Sequence, residues 1–150
     1  MPTDSQWLGL LLRSESELPH EWPALAWVVR NRVESNGRYP STYQSAILQS
    51  RQFSAFNIAI GLPPTAAYEK VKATYAGDQT GWPDNDLTMA ESCAKALLAA
   101  FRWQAPFSQR VFTFWAPAAM KPAGSDPPWA TDYRVFTLPG IPRWKFGEQP

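Results

Sequence analysis

The sequence predicts an α+β domain, mostly helical, with a small antiparallel sheet near its C-terminal end. Three observations carry this. Apolar residues recur at helical spacing from Trp7 to about Trp103, and from Arg110 the pattern changes to short strand-like runs separated by Pro- and Gly-rich segments. At 150 residues the chain has the usual size of one core, so a single domain over residues 1–150 is expected.

The first helix is expected from about Asp4 or Ser5, either of which can cap it, to about Ser16, with Trp7, Leu8, Leu11 and Leu12 in an apolar stripe. Glu15 follows Leu11 by four residues and Leu12 by three, which places a carboxylate on the buried face of its own helix. There desolvation disfavours the charged form and keeps the acid protonated. Fraying of the helix at this point would instead leave Glu15 in water, and spacing alone leaves both readings open. Glu17, nearly opposite on a helical wheel, is the reserve candidate.

Pro19 interrupts the chain, and a second helix runs from about Glu21 to Glu34 on Leu25, Val28, Val29 and Val33, with Pro23 tolerated in its first turn. Asn31 faces inward with them. A buried Asn needs partners, so it is either a clamp on a neighbouring loop, the favoured reading, or part of a polar site. A short third helix, Tyr43 to about Gln49, leads into RQFSAFN at 51–57, where Gln52, Ser54 and Asn57 alternate with Phe53 and Phe56. Amide and hydroxyl groups beside aromatic faces suit a carbohydrate groove.

Thr65 to about Tyr75 is read as helix, and GDQTGWPDND as an exposed loop. Thr88 and Glu91 form a capping-box signature for the last helix, whose apolar face is read as Met89, Cys93, Ala94, Leu97, Leu98 and Phe101. Strands are expected at 111–115, 133–137 and 144–146, the last two paired through LPGIP. The Pro- and Ala-rich stretch at 116–130 is read either as a loop covering one side of a site or as a connector.

Composition narrows the chemistry. Fourteen Lys and Arg against thirteen Asp and Glu give a net charge of +1 without a basic cluster, so no nucleic-acid partner is expected. No segment approaches the roughly 20 apolar residues of a membrane span. The N-terminus lacks the basic residue and cleavage site of a secretory signal, so synthesis in the cytoplasm with another route of export is expected. One Cys and one His, Cys93 and His20, cannot supply a usual zinc site, and no metal or other cofactor is expected. Cys93 is read as core and His20 as a surface residue. With no Gly-x-Ser-x-Gly elbow, chemistry falls to carboxylates. Eight Trp, eight Phe and five Tyr supply faces that can hold sugar rings, although most aromatics belong to the core.

Several segments, in order, resemble the cell wall hydrolase family that includes the spore-cortex lytic enzymes and related phage-borne lysins: LLRSESE, ALAWVVRNRV, RYPSTY, SAILQSRQFSAFN, MAESCAKALLAA, VFTFWAP, DPPWA and RWKF. The pair VVRNRV and RQFS is the most specific part. The resemblance implies a lysozyme-like fold with an essential glutamate at Glu15. It also implies a groove built from Gln52, Phe53 and Ser54 and from Phe114 and Trp115, with Trp129 in the Pro-Trp segment. Asn31 is expected to support it. The implied partner is the peptidoglycan glycan strand, met by a monomer in the bacterial cell wall.

The expected reaction is cleavage between N-acetylmuramic acid and N-acetylglucosamine. A lytic transglycosylase needs one carboxylate, whereas an inverting hydrolase needs a second, for which the sequence offers no obvious candidate. The alternative is a non-catalytic glycan-binding or interaction module. Arg13 favours it slightly, because a cation near Glu15 would hold that residue ionised.

Overall fold

Thr3 begins the first helix. Its hydroxyl accepts from the Gln6 amide at 3.3 Å, and the Gln6 side chain accepts from the Thr3 amide at 2.8 Å. This reciprocal box starts α1 (Asp4–Glu15) one residue before the caps read from sequence. The Thr-x-x-Gln signature was present but stood ahead of the apolar run, where Asp4 and Ser5 competed for the same role.

The computed structural model describes residues 1–49, 52–77 and 86–150. Arg51 and most of the GDQTGWPDND segment lie outside the described residues. The helices are α1, α2 (Trp22–Val33), α3 (Tyr43–Ile47), α4 (Pro64–Gly77) and α5 (Asp86–Leu98). The strands are β1 (Val111–Trp115), β2 (Arg134–Phe136) and β3 (Lys145–Glu148). They form one antiparallel sheet in the order β1-β3-β2. The expected α+β architecture is therefore observed, with β3 central and Phe146 opposite both Phe114 and Phe136.

α1 is buried on every side from Trp7 to Arg13, and α2, α3, α4 and α5 all pack against it. It is a core helix, more enclosed than the stripe predicted. Leu8, Leu10, Leu11 and Leu12 are each 1% exposed or less, and each contributes about 1.5–3 kcal/mol by leaving water. The closest approach is at Gly9, where a Cβ would stand 2.7 Å from the backbone of Glu91. The α1–α5 crossing requires that glycine.

The last helix begins earlier than expected. Thr88 lies inside α5, so the Thr88–Glu91 pair is no cap, and Glu91 instead accepts from the Tyr68 hydroxyl at 3.3 Å. Ala90, Ala94 and Leu97 are the buried face. Cys93 is half-buried against the core, Met89 is exposed, and Phe101 lies beyond the helix end in solvent. The sequence reading turned this helix by about one position because it weighted residue size over the small alanines that are buried.

α2 fixes the sheet to the helices. Asn31 Nδ2 donates to the carbonyls of Ser108 at 3.1 Å and Val111 at 2.9 Å, and its Oδ1 accepts from Arg102. Arg32 Nε donates to the Phe112 carbonyl at 2.6 Å. Two consecutive α2 residues thus hold β1 and the turn before it. At the other face of β1, Gly147 lets β3 approach, since a Cβ there would lie 2.7 Å from the Thr113 methyl.

Candidate active site

A groove of about 770 Å³ runs where the end of α1, the segment after α3, the sheet and the loops flanking it meet. Glu15, the last residue of α1, lies on it with Ser14. The segment at 52–59, which ends in the short 3-10 helix Ser54–Ala59, contributes Gln52, Phe53, Ser54 and Asn57. β1 contributes Thr113, Phe114 and Trp115, and the stretch at 116–130 contributes Ala116, Ala119, Met120 and Trp129. The structure thus brings Glu15 and all of the substrate-side candidates together on one groove. The Pro- and Ala-rich loop is one of its walls. Asn31 is not on it and acts behind it, on the backbone of β1. Glu17 is exposed in the link after α1 and does not line the groove.

Burial alone accounts for the state of Glu15: it raises the carboxyl from 4.5 to about 7. The position at the C-terminal end of α1 works in the same direction, because the helix dipole there disfavours added negative charge. Arg13 does not oppose this. Two positions away on a helix is roughly the opposite side, and Arg13 is buried with its Nε 3.8 Å from Asp86 Oδ2 of α5.

The aromatic lining is interlocked. Phe53 stacks on Phe114 with centroids 6.0 Å apart, and Phe114 meets Trp144 edge-on at 5.3 Å. Trp115, Trp129 and Tyr133 form a second chain of edge-on contacts at 5.4 and 5.7 Å. The Trp115 indole donates to Asp126 Oδ1 at 3.1 Å, which Lys145 also engages at 2.9 Å, tying the loop to β3.

Gln52 has a fixed orientation. Its Oε1 accepts from Arg32 Nη1 at 2.5 Å, and because Arg has only donors, the amide NH2 is left to donate elsewhere. Arg32 is itself set by the Phe112 carbonyl and stacks over Tyr39 and Phe53 at 4.8 and 5.4 Å.

Sequence reasoning missed Arg32, Tyr39, Tyr133, Arg143 and Trp144. Arg32 had a signal: it adjoins the inward-facing Asn31. Arg143 and Trp144 come from the turn into β3; the segment RWKF stood among the family-like segments, but nothing local placed its side chains on the groove, because their approach to α1 depends on the sheet order. Arg143 binds the buried Glu21, Nε to Oε1 at 2.8 Å and to Oε2 at 2.9 Å, with Nη2 to Oε1 at 2.5 Å. Burial by itself would raise Glu21, but hydrogen bonds from Arg143 and Ser16 and the Arg143 charge hold it below the usual carboxylate range.

Fold and site together define a class: an α+β domain that presents a carboxylic acid, raised to about 7 by burial, in an open aromatic groove beside the oriented amide of Gln52, a form suited to sugar rings. The chain belongs to the cell wall hydrolase family, whose model matches residues 17–137. That match takes in the groove from Gln52 to Tyr133 and leaves Glu15, Arg143 and Trp144 outside it. No curated protein and no solved structure matches the chain. Among the described residues, no helix is long and apolar enough to cross a membrane.

Proposed function

We propose that the protein cleaves peptidoglycan glycan strands between N-acetylmuramic acid and N-acetylglucosamine as a lytic transglycosylase, on a lysozyme-like fold, with Glu15 as acid and then base. The observation that carries this reading is the groove's ionisable inventory. Among its described lining residues Glu15 is the only carboxylate, and burial keeps it protonated to about pH 7.

In the first step Glu15 gives its proton to the glycosidic oxygen while the bond from muramic C1 to that oxygen breaks. The muramic C6 hydroxyl then attacks C1 and returns its proton to Glu15, closing a 1,6-anhydro ring. Atoms balance without water, and one carboxylate serves both steps. An inverting hydrolase would need a second carboxylate roughly 6.5–9.5 Å away to activate water, and the described lining supplies none. Gln52 offers donors to a sugar acetamide or hydroxyl, and Trp129, 43% exposed, offers a ring face.

The binding-module alternative loses the observation that favoured it, since Arg13 faces Asp86 on the far side of α1. Mass spectrometry of products from purified peptidoglycan tests the reading. Anhydro ends, lighter by one water than hydrolysed ends, are expected. Hydrolysed ends would replace the transglycosylase with a hydrolase, and glycan binding without products would replace the enzyme with a binding module.

A further inference from the structure

Ser16 follows Glu15 directly, and each of its polar atoms is engaged. Its amide donates to the Leu12 carbonyl at 3.0 Å, and its carbonyl accepts from the Trp22 indole at 2.9 Å. Its hydroxyl donates to Glu21 Oε1 at 2.6 Å and accepts from the Leu18 amide at 3.0 Å and from Arg143 Nη2 at 2.9 Å. The anchor of this cluster is Glu21, 1% exposed, while the Arg143 side chain is 40% exposed and lines the same groove as Glu15.

A guanidinium on that groove without a counter-charge would favour the carboxylate form of Glu15 over the acid. Glu21 answers it with the three hydrogen bonds from Arg143 already described. We propose that Glu21 is a positioning residue for Glu15: its buried carboxylate fixes the end of α1 through Ser16 and, by holding Arg143, keeps that cation's charge from the acid. This rests on the reading of Glu15 as the acid.

The other ionisable groups around Glu15 are accounted for. Arg32 of α2 is turned to the Phe112 carbonyl and Gln52, and Tyr39 and Tyr133 line the groove as phenols. Arg13 of α1 and Asp86 of α5 face each other behind the helix, and Glu17 and His20 are exposed in the link to α2.

Carbon-13 NMR titration of the glutamate carboxyls tests the proposal without requiring glycan cleavage, so its failure is separable from failure of the enzymatic reading. Wild-type Glu15 should titrate near 7. Glu21→Gln should lower that midpoint by about one pH unit, with the alkaline limb of the rate profile moving to lower pH alongside it. The double variant Glu21→Gln with Arg143→Gln should bring it back. An unmoved midpoint in Glu21→Gln, or no recovery in the double variant, overturns the proposal. Should Glu21→Gln not fold, Arg143→Gln carries the test: removing the cation and leaving the anion must raise the midpoint, and a midpoint unchanged or lower overturns it. A wild-type midpoint in the ordinary carboxylate range overturns the reading of Glu15 and the proposal with it.

Discussion

The end of α1 and the turn into α2 each take a carboxylate out of water, and they treat it oppositely. Glu15 is given burial and no cation, and rises to about 7. Glu21 is buried too but receives Arg143 and Ser16, and falls. Burial does not fix the protonation state of a carboxylate; the donors supplied with it do. Six positions therefore separate an acid on the groove that holds its proton to about pH 7 from an anion that serves as a structural tie.

The largest effect that would break this comparison is on rate. If Glu15 acts as acid with a midpoint near 7, cleavage falls about tenfold for each pH unit above it. A profile flat from pH 6 to 9 would remove the neutral acid from the account.

Stability sharpens the comparison next. Glu15 binds its proton more tightly folded than unfolded, so between 4.5 and about 7 folding stability falls as pH rises. Glu15→Gln should therefore stabilise the fold above pH 7, by up to roughly 3 kcal/mol, in denaturant unfolding at pH 8. Glu21 has the opposite sign: its contribution is present above the unfolded carboxylate value and is lost as pH falls through the lower folded value. Glu21→Gln should cost roughly 1.5–3 kcal/mol at pH 7, a difference that shrinks in acid. Equal signs for the two variants would contradict the contrast.

The smallest effect is expected at the link itself. Ser16→Ala leaves both carboxylates in place and removes the hydroxyl that ties the end of α1 to Glu21 and Arg143, so a loss of about 1–2 kcal/mol is expected. Thermal unfolding of that variant beside Glu15→Gln measures it.

Much of this was legible in the sequence because it is local. The apolar spacing of α1, the turn signals around α3 and the change to strands after Arg110 each act within a few residues, and Glu15 fell on α1's inward side by the same arithmetic. Gln52, Phe53, Ser54 and Asn57 stood out as polar groups interleaved with rings. What stayed hidden is set by topology. The order β1-β3-β2 carries Arg143 and Trp144 back to α1, and no spacing in the chain encodes a partnership between residues 21 and 143. The α5 face was misjudged for a related reason, since the alanines that are buried there, Ala90 and Ala94, look weaker than the larger residues beside them.

The central claim is that Glu15, and not Glu17, delivers the proton. The direct measurement is release of soluble glycan fragments from purified peptidoglycan by the wild type, Glu15→Gln and Glu17→Gln, each confirmed folded. The account predicts a loss of at least about a hundredfold for Glu15→Gln and near-wild-type release for Glu17→Gln. Retained release in Glu15→Gln, with loss in Glu17→Gln, would contradict it.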